Sequence, residues 1–378
     1  MIPERVAAAI RAGRRPVCAY VYDPDIATRR IADLRAALPA GTRVLYAVKA
    51  NSNPDLVRAI ATHADGLEVA SGGELDLALA AGAQTIAFAG PAKTDDELRA
   101  AVAADAMIHV ESAHELRRLT HLARGHHPRT ALRVNRAADT PSGSHRMTGT
   151  PTPFGIAEDD LDTLPRDLPI SGFHLHAVSN NLDAAAHARF VDDAVAWSLT
   201  TARRLGITLT YVNAGGGLGI DYTGDTTFDL NRLRITPPPA GVTLTVEPGR
   251  WIAADTGWYA AEVIDLKRNH GRWFAVLRGG THHFRLPAAW GYSHPFTVLP
   301  VDDWPHPYAR PEVSNVDVDA TGELCTPRDV LTRAQHVDRL RVGDVLVYAR
   351  TGAYGWDISH HDFLRHPYPE VTVLPPVS

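Results

Sequence analysis

Short apolar runs recur at intervals through the first two thirds of the chain: VLYAVKAN (44–51), GLEVAS (66–71), TIAFAGP (85–91), AMIHVES (106–112), TALRVN (130–135), GFHLHAVS (172–179), LTYVNAGG (209–216) and VTLTVEPG (242–249). Most are rich in β-branched residues. Many are followed by stretches such as SNPDLVRAIATHA and SGGELDLALAAGA, where apolar residues return at the spacing of an amphipathic helix. Eight strand signals alternating with helices predict an α/β fold, a (β/α)8 barrel over residues 24–255. A doubly wound open sheet produces the same alternation and stays open as the alternative.

From about residue 256 the pattern changes. Short β-type runs (WYAAEVIDLKR, RWFAVLRGG, VSNVDVDATG, DVLVYAR, EVTVLP) stand among Pro, Gly and His, with almost no helical periodicity. These predict a C-terminal β domain, a barrel or sandwich, in residues 256–378 together with 1–23. The run PVCAYVYD (16–23) precedes the barrel and is also able to pair with it. Residues 136–153 are turn-rich and predict a mobile loop over the active face.

Barrel enzymes carry their chemistry at the C-terminal ends of the strands. The polar residues at those ends are Lys49, Glu68, Ser71, Asn135, His176, Ser179, the glycines after Asn213, and Glu247. Lys49 ends an apolar strand, so it either snorkels to the surface or is held for its nitrogen. NAGGGLGIDY (213–222) lets the backbone approach an anion and aim N–H groups at it, or makes a tight turn. In EPGR (247–250), Arg250 suits a phosphate, or a surface ion pair. The alternate histidines of HLH (174–176) are spaced as a metal pair, but no third ligand motif lies nearby, and no metal is expected. The adjacent pairs His282-His283 and His360-His361 suit one metal poorly.

Composition narrows the classes. The 378 residues are 45 % hydrophobic and 21 % charged, with a formal net charge of −5, an ordinary globular balance without the basic stripe that nucleic acid demands. No apolar run is long enough for a membrane span or a signal peptide. Two cysteines, Cys18 and Cys325, indicate no disulfide framework, and a cytoplasmic location is expected. Cys18 reads as a small core residue.

A strand-end lysine, a phosphate cradle and a carboxylate together suit pyridoxal 5′-phosphate. From YAVKAN through EVASGGEL, FGI, GGGLGI, VEPGR and CTPRDVL to GAYG, the chain resembles the fold-type III pyridoxal-phosphate enzymes of the ornithine, diaminopimelate and arginine decarboxylase family. The resemblance implies an alanine racemase-like barrel plus a β domain, in a head-to-tail homodimer with shared active sites. It implies that Lys49 carries the cofactor as a Schiff base and that His176 stacks on its ring. It assigns Ser179, Gly215, Gly216, Gly217, Arg250 and Tyr354 to the phosphate. Glu247 would pair with the ring nitrogen, and Cys325 would enter from a second subunit as proton donor. Alanine racemases place an arginine at the ring nitrogen, so Glu247 argues for decarboxylation, with racemase as the alternative. A partner-binding pseudoenzyme is the reading from another class, and the retained lysine, glutamate, arginine, histidine and cysteine argue against it.

Departures from the family bear on the substrate. Diamino-acid decarboxylases carry an acidic residue after the cysteine to hold a distal ammonium, and here that position is Thr326. The sixth run continues HAVSNNLD, bringing in Asn180, and GGTHHFRLPAAW (279–290) brings His282, His283 and Arg285 to where a substrate contact is expected. Thr326, Asn180, His283 and Arg285 are therefore the expected substrate residues. These features resemble the subgroup that decarboxylates a citryl-diaminopropionate conjugate in siderophore assembly. The alternative substrates are diaminopimelate or another diamino acid.

Overall fold

The structure, a computed structural model, describes residues 2–123, 125–137, 141–165 and 169–377. It divides into two compact units, one of Thr28–Asp221 and Thr226–Ile252, the other of Met1–Ala27, Tyr222–Asp225 and Ala253–Ser378.

The first unit is the barrel. Its strands, in chain order, are Arg43–Ala47, Gly66–Val69, Ile86–Phe88, Met107–Val110, Thr130–Asn135, Ile170–His174, Tyr211–Asn213 and Thr243–Val246. Each runs parallel to the next, and the eighth pairs with the first, so the sheet closes. Closure excludes the open-sheet alternative. Most positions in these strands are buried on both faces, as expected of a parallel sheet covered by helices.

The turn from strand to helix is set locally by N-caps. Asn53 accepts from the amides of Asp55 and Leu56 at the head of Pro54–Ala61, and Thr94 forms a capping box with Glu97. Asp183 opens Ala184–Leu205, which stops at Gly206 in the left-handed conformation. Caps of this kind are worth about 1 kcal/mol each and fix where each strand hands over to its helix.

Two strand-end polar residues serve the fold rather than a common centre. Ser71 is the N-cap of Gly72–Ala80, its hydroxyl accepting from the Glu74 amide. Asn135 holds the following loop: its Oδ1 accepts from Gly149 N, and its Nδ2 donates to Thr150 O and Thr152 Oγ1. In the segment expected to be a mobile loop, residues 138–140 lie outside the described residues. The rest is tied down by Asn135 and by antiparallel pairing of His145–Arg146 with Val178–Ser179.

The second unit is a mixed sheet. Gly257–Asn269 pairs with Arg272–Leu277 and with Val345–Tyr348, and Glu312–Thr321 pairs with Val330–Arg341. The run expected to be able to pair with the barrel does not: Cys18–Tyr22 pairs antiparallel with Gly257–Asn269 and parallel with Glu370–Val373. Val17 and Val21 pack with Trp258, Ala260, Val345 and Val347, and this apolar face decides its place. Among the described residues no helix is long and apolar enough to cross a membrane.

Candidate active site

The C-terminal ends of the barrel strands converge on a charged centre. Lys49 sits in the short 3-10 turn Val48–Ala50 that continues the first strand. Its Nζ donates to Glu68 Oε2 at 2.8 Å; the lysine side chain is 43 % exposed and the glutamate 1 %. The lysine therefore reaches solvent at one end of a pair whose other member is buried. Burial raises the Glu68 carboxyl above its ordinary value, the Lys49 charge opposes that, and the nearby Glu247 charge adds to it.

The glycine run lies against His176 and the eighth strand. Gly216 N donates to His176 Nδ1 at 3.0 Å, so the second ring nitrogen carries the proton. Burial first, and then the Lys49 and Arg133 charges, hold His176 well below the usual imidazole value, and it is neutral. A Cβ on Gly216 would collide with the Glu247 carbonyl oxygen, and one on Gly215, at φ +71°, with the His176 ring. Only glycine brings the backbone so close at these positions. Gly217, also at positive φ, lies against the Val178 carbonyl in the same way. The run is followed by buried Arg250, at the start of Arg250–Ala253, whose guanidinium suits a phosphate.

Glu247, 4 % exposed, is enclosed by neighbouring strands. Asn213 Nδ2 donates to its Oε1 at 2.5 Å, and His174 Nε2 lies 3.1 Å from its Oε2. His109 Nδ1 is 3.9 Å from Oε1, and the His109 and His174 rings stack with centroids 4.1 Å apart. Sequence spacing paired His174 with His176, but those rings are 6.4 Å apart. His174 meets His109 and Glu247 instead, and these three offer donor atoms within 4.8 Å of one another, close enough to hold a metal ion. The third donor was hidden because it comes from other strands.

Sequence reasoning also missed Arg133 and Glu111, which pair at 2.8 Å with both side chains buried. Glu111 accepts from the amides of Gly90 and Gly155 as well, tying three strand ends together. The signal was present: a charge stands inside each of the apolar runs AMIHVES and TALRVN. Lys93, also missed, is buried against Glu115 at 2.7 Å and donates to His109 O.

Ser179 lies in the short strand Val178–Ser179 beside the glycines. Asn180, expected to touch substrate, is committed elsewhere. Its Oδ1 accepts from Ile220 N and its Nδ2 donates to Ile220 O, so the side chain staples the end of the glycine loop.

The remaining expected residues belong to the β unit. Cys325 is exposed in a turn anchored from beneath by Asp329, 2 % exposed. That carboxylate accepts from Leu324 N, Thr281 N and Thr281 Oγ1. Tyr354 is half-buried at φ +55°, a conformation unusual outside glycine. His283, expected on the substrate side with Arg285, is fully buried. Its Nδ1 is 3.3 Å from Cys18 Sγ, its ring lies 3.8 Å from that of His282, and burial lowers it to about 3. The same burial pushes the Cys18 thiol up to about 12, as suits a core residue.

Arg285 and Thr326 line a recess of about 700 Å³, with Arg328, Arg333 and His360. Among the described residues no aspartate or glutamate lines it, and none of the three guanidinium groups has an ion-pair partner.

Comparison with known proteins agrees with this geometry. Residues 25–254 match the family model of the pyridoxal-dependent decarboxylase pyridoxal binding domain. The chain is 40 % identical to a 2-[(L-alanin-3-ylcarbamoyl)methyl]-2-hydroxybutanedioate decarboxylase of Staphylococcus aureus, covering 99 % of this chain and 98 % of that protein. It is 30 % identical to the diaminopimelate decarboxylase of Aquifex aeolicus, over 94 % of this chain and 86 % of that one. The crystal structure of diaminopimelate decarboxylase from Helicobacter pylori complexed with L-lysine superposes with a TM-score of 0.84 at 24 % identity, covering 97 % and 93 % of the two chains, and so shares the fold. Lysine, glycine cradle and buried carboxylate fit the cofactor that these relatives use, and the chain belongs to the pyridoxal 5′-phosphate-dependent decarboxylases of the ornithine, diaminopimelate and arginine decarboxylase family.

Proposed function

We propose that this enzyme decarboxylates an amino acid whose side chain ends in a carboxylate-bearing group, such as the amide-linked 2-hydroxybutanedioate conjugate on which the staphylococcal relative acts. The observation that carries this is the recess of Arg285, Arg328, Arg333 and His360. Guanidinium groups gathered without an acid repel one another and call for an anion, which each can bind through two hydrogen bonds. A distal ammonium, the tail of a diamino acid, would meet only like charge there.

In this reading Lys49 would hold the cofactor, and Ser179, the three glycines, Arg250 and Tyr354 would surround its phosphate. Pyridoxal phosphate supplies an electron sink for the pair left behind when CO2 departs. His176, neutral and fixed by Gly216, would pack against the ring without adding charge. Glu247 would keep a proton at the ring nitrogen, and Cys325 would return a proton to the carbon that lost CO2.

The test is CO2 release by purified holoenzyme from that conjugate and from lysine, ornithine and diaminopimelate. Only the carboxylated conjugate should turn over efficiently, and efficient turnover of the free diamino acids would overturn the reading. Arg285→Ala should raise KM for the conjugate about 10-fold, the scale of one charge-assisted hydrogen bond, with kcat and cofactor content little changed.

The active form is proposed to be a homodimer in which Cys325 serves the neighbouring site. Lys49→Ala and Cys325→Ala protomers are each inactive alone. Mixed in equal amounts, half the dimers are mixed and each has one intact site, so about a quarter of wild-type activity should return. No recovery under conditions of proven subunit exchange would assign each site to one chain. The free thiol of exposed Cys325 suits a reducing compartment, and a cytoplasmic location is proposed with it.

A further inference from the structure

The surroundings of Glu247 allow its hydrogen-bond donors to be worked out one proton at a time. Asn213 Oδ1 accepts from Gly215 N at 2.8 Å, which fixes the amide orientation. Its Nδ2 therefore faces Glu247 Oε1 at 2.5 Å and Tyr211 Oη at 2.8 Å, and both N–H groups are used. Tyr211 Oη also lies 3.0 Å from His109 Nε2. His109 Nδ1, 3.9 Å from Glu247 Oε1, is beyond hydrogen-bond distance of it. His174 Nε2, 3.1 Å from Glu247 Oε2, can approach a carboxylate so closely only as a donor.

Both carboxylate oxygens thus receive N–H groups, Oε1 from Asn213 and Oε2 from His174. Burial first, and then the Arg133, Lys49 and Lys93 charges, hold His174 well below the usual imidazole value, and burial and the His174 ring do the same to His109 against the opposing Glu247 charge. A lysine or arginine in their place would cancel the carboxylate charge. Neutral donors orient it and leave it anionic.

We propose that His174, stacked on the His109 ring, is a positioning residue that holds Glu247 in one orientation towards the ring nitrogen of the cofactor. The inference rests on the reading of Glu247 as the partner of that nitrogen. It assigns the buried His174 a part in the reaction, and gives Asn213 the contact at the other carboxylate oxygen.

The holoenzyme is tested with 15N in the cofactor ring, whose chemical shift reports protonation of that nitrogen. His174→Leu should move the shift towards the unprotonated value and lower kcat about 10-fold or more, with KM little changed. His174→Gln keeps an N–H donor near the same place and should retain the wild-type shift and kcat within about threefold. A wild-type shift in His174→Leu beside a displaced one in Glu247→Gln overturns the positioning role alone. A wild-type shift in both overturns the Glu247 reading with it. Equal damage in His174→Leu and His174→Gln, both folded, also overturns the proposal. Independently of any variant, 15N-histidine spectra of the wild-type holoenzyme should show His174 protonated at Nε2, and the opposite tautomer would overturn it. So would about one equivalent of divalent metal in the active holoenzyme, removed by chelation together with activity, because the three side chains would then be ligands.

Discussion

Lys49→Ala is expected to abolish the visible absorbance of bound cofactor and to lower decarboxylation by about 10³-fold or more, since attachment and orientation of the reacting group are lost together. The fold should survive, because Lys49 is partly exposed and lies in a short turn outside the core. Circular dichroism and gel filtration check that directly. The substitution also has an effect at Glu68. Its carboxyl is already raised above its ordinary value of 4.5 by burial, and Lys49 is the largest influence opposing that rise. Without the lysine the group moves higher still. An acid raised in the folded state binds protons there that the unfolded chain has released, so stability is greatest below about 4.5 and falls as the pH rises through the raised value. The melting temperature of Lys49→Ala should therefore drop relative to wild type as the pH is taken from 5 to 8. Undiminished turnover in this variant would remove the lysine from the chemistry.

Glu247→Gln is the second large effect. Glutamine keeps the shape and can still accept at one oxygen, but it carries no charge to hold a proton on the ring nitrogen. The expected loss is about 10²-fold or more in kcat, the scale of one preorganised electrostatic stabiliser in a site shielded from water. KM should change little, because the interaction strengthens as charge develops. Glutamine must also present its amide to Asn213 Nδ2 and His174 Nε2, which donate to Glu247 from opposite sides. One contact becomes donor against donor, and the variant should melt a few degrees lower. An unchanged rate would mean that the ring nitrogen is not tuned from this position.

The recess connects the substrate question to both variants. Thr326 replaces an expected acid, and its hydroxyl accepts from Arg328 N at 3.3 Å, within the same turn that presents Cys325. One turn therefore carries the thiol, the missing anion and an unpaired arginine. The turn is anchored by Asp329 to the segment leading into Arg285. One buried carboxylate thus ties the Cys325 turn to the Thr281 segment that precedes Arg285. Arg328 and Arg333 were not singled out from the sequence, because lone arginines in polar β segments look like ordinary surface charges until the fold gathers them.

Some of the chemistry was legible because it is local. GGGLGI announces a close backbone approach through residue type alone, and collisions at Gly215 and Gly216 are its structural reason. Lys49 and Glu247 stand out because each ends an apolar run at the end of a barrel strand. Assignments resting on side-chain direction were less readable. Asn180 looked available for substrate and spends both ends of its amide on Ile220, and His283 was expected to contact substrate and is buried against Cys18.

The sequence by itself determined the alternation of strands and helices and the residue types at the strand ends, because periodicity and glycine conformation act over a few residues. Only the tertiary structure decided which of those ends meet. His174 reaches Glu247 across 73 positions and His109 reaches Tyr211 across 102, contacts set by barrel closure and by which strand residues turn inward. The same holds for Cys18–Tyr22. Its continuous apolar run makes it a strand, and packing against Trp258 and Val347 selected the β unit as its sheet.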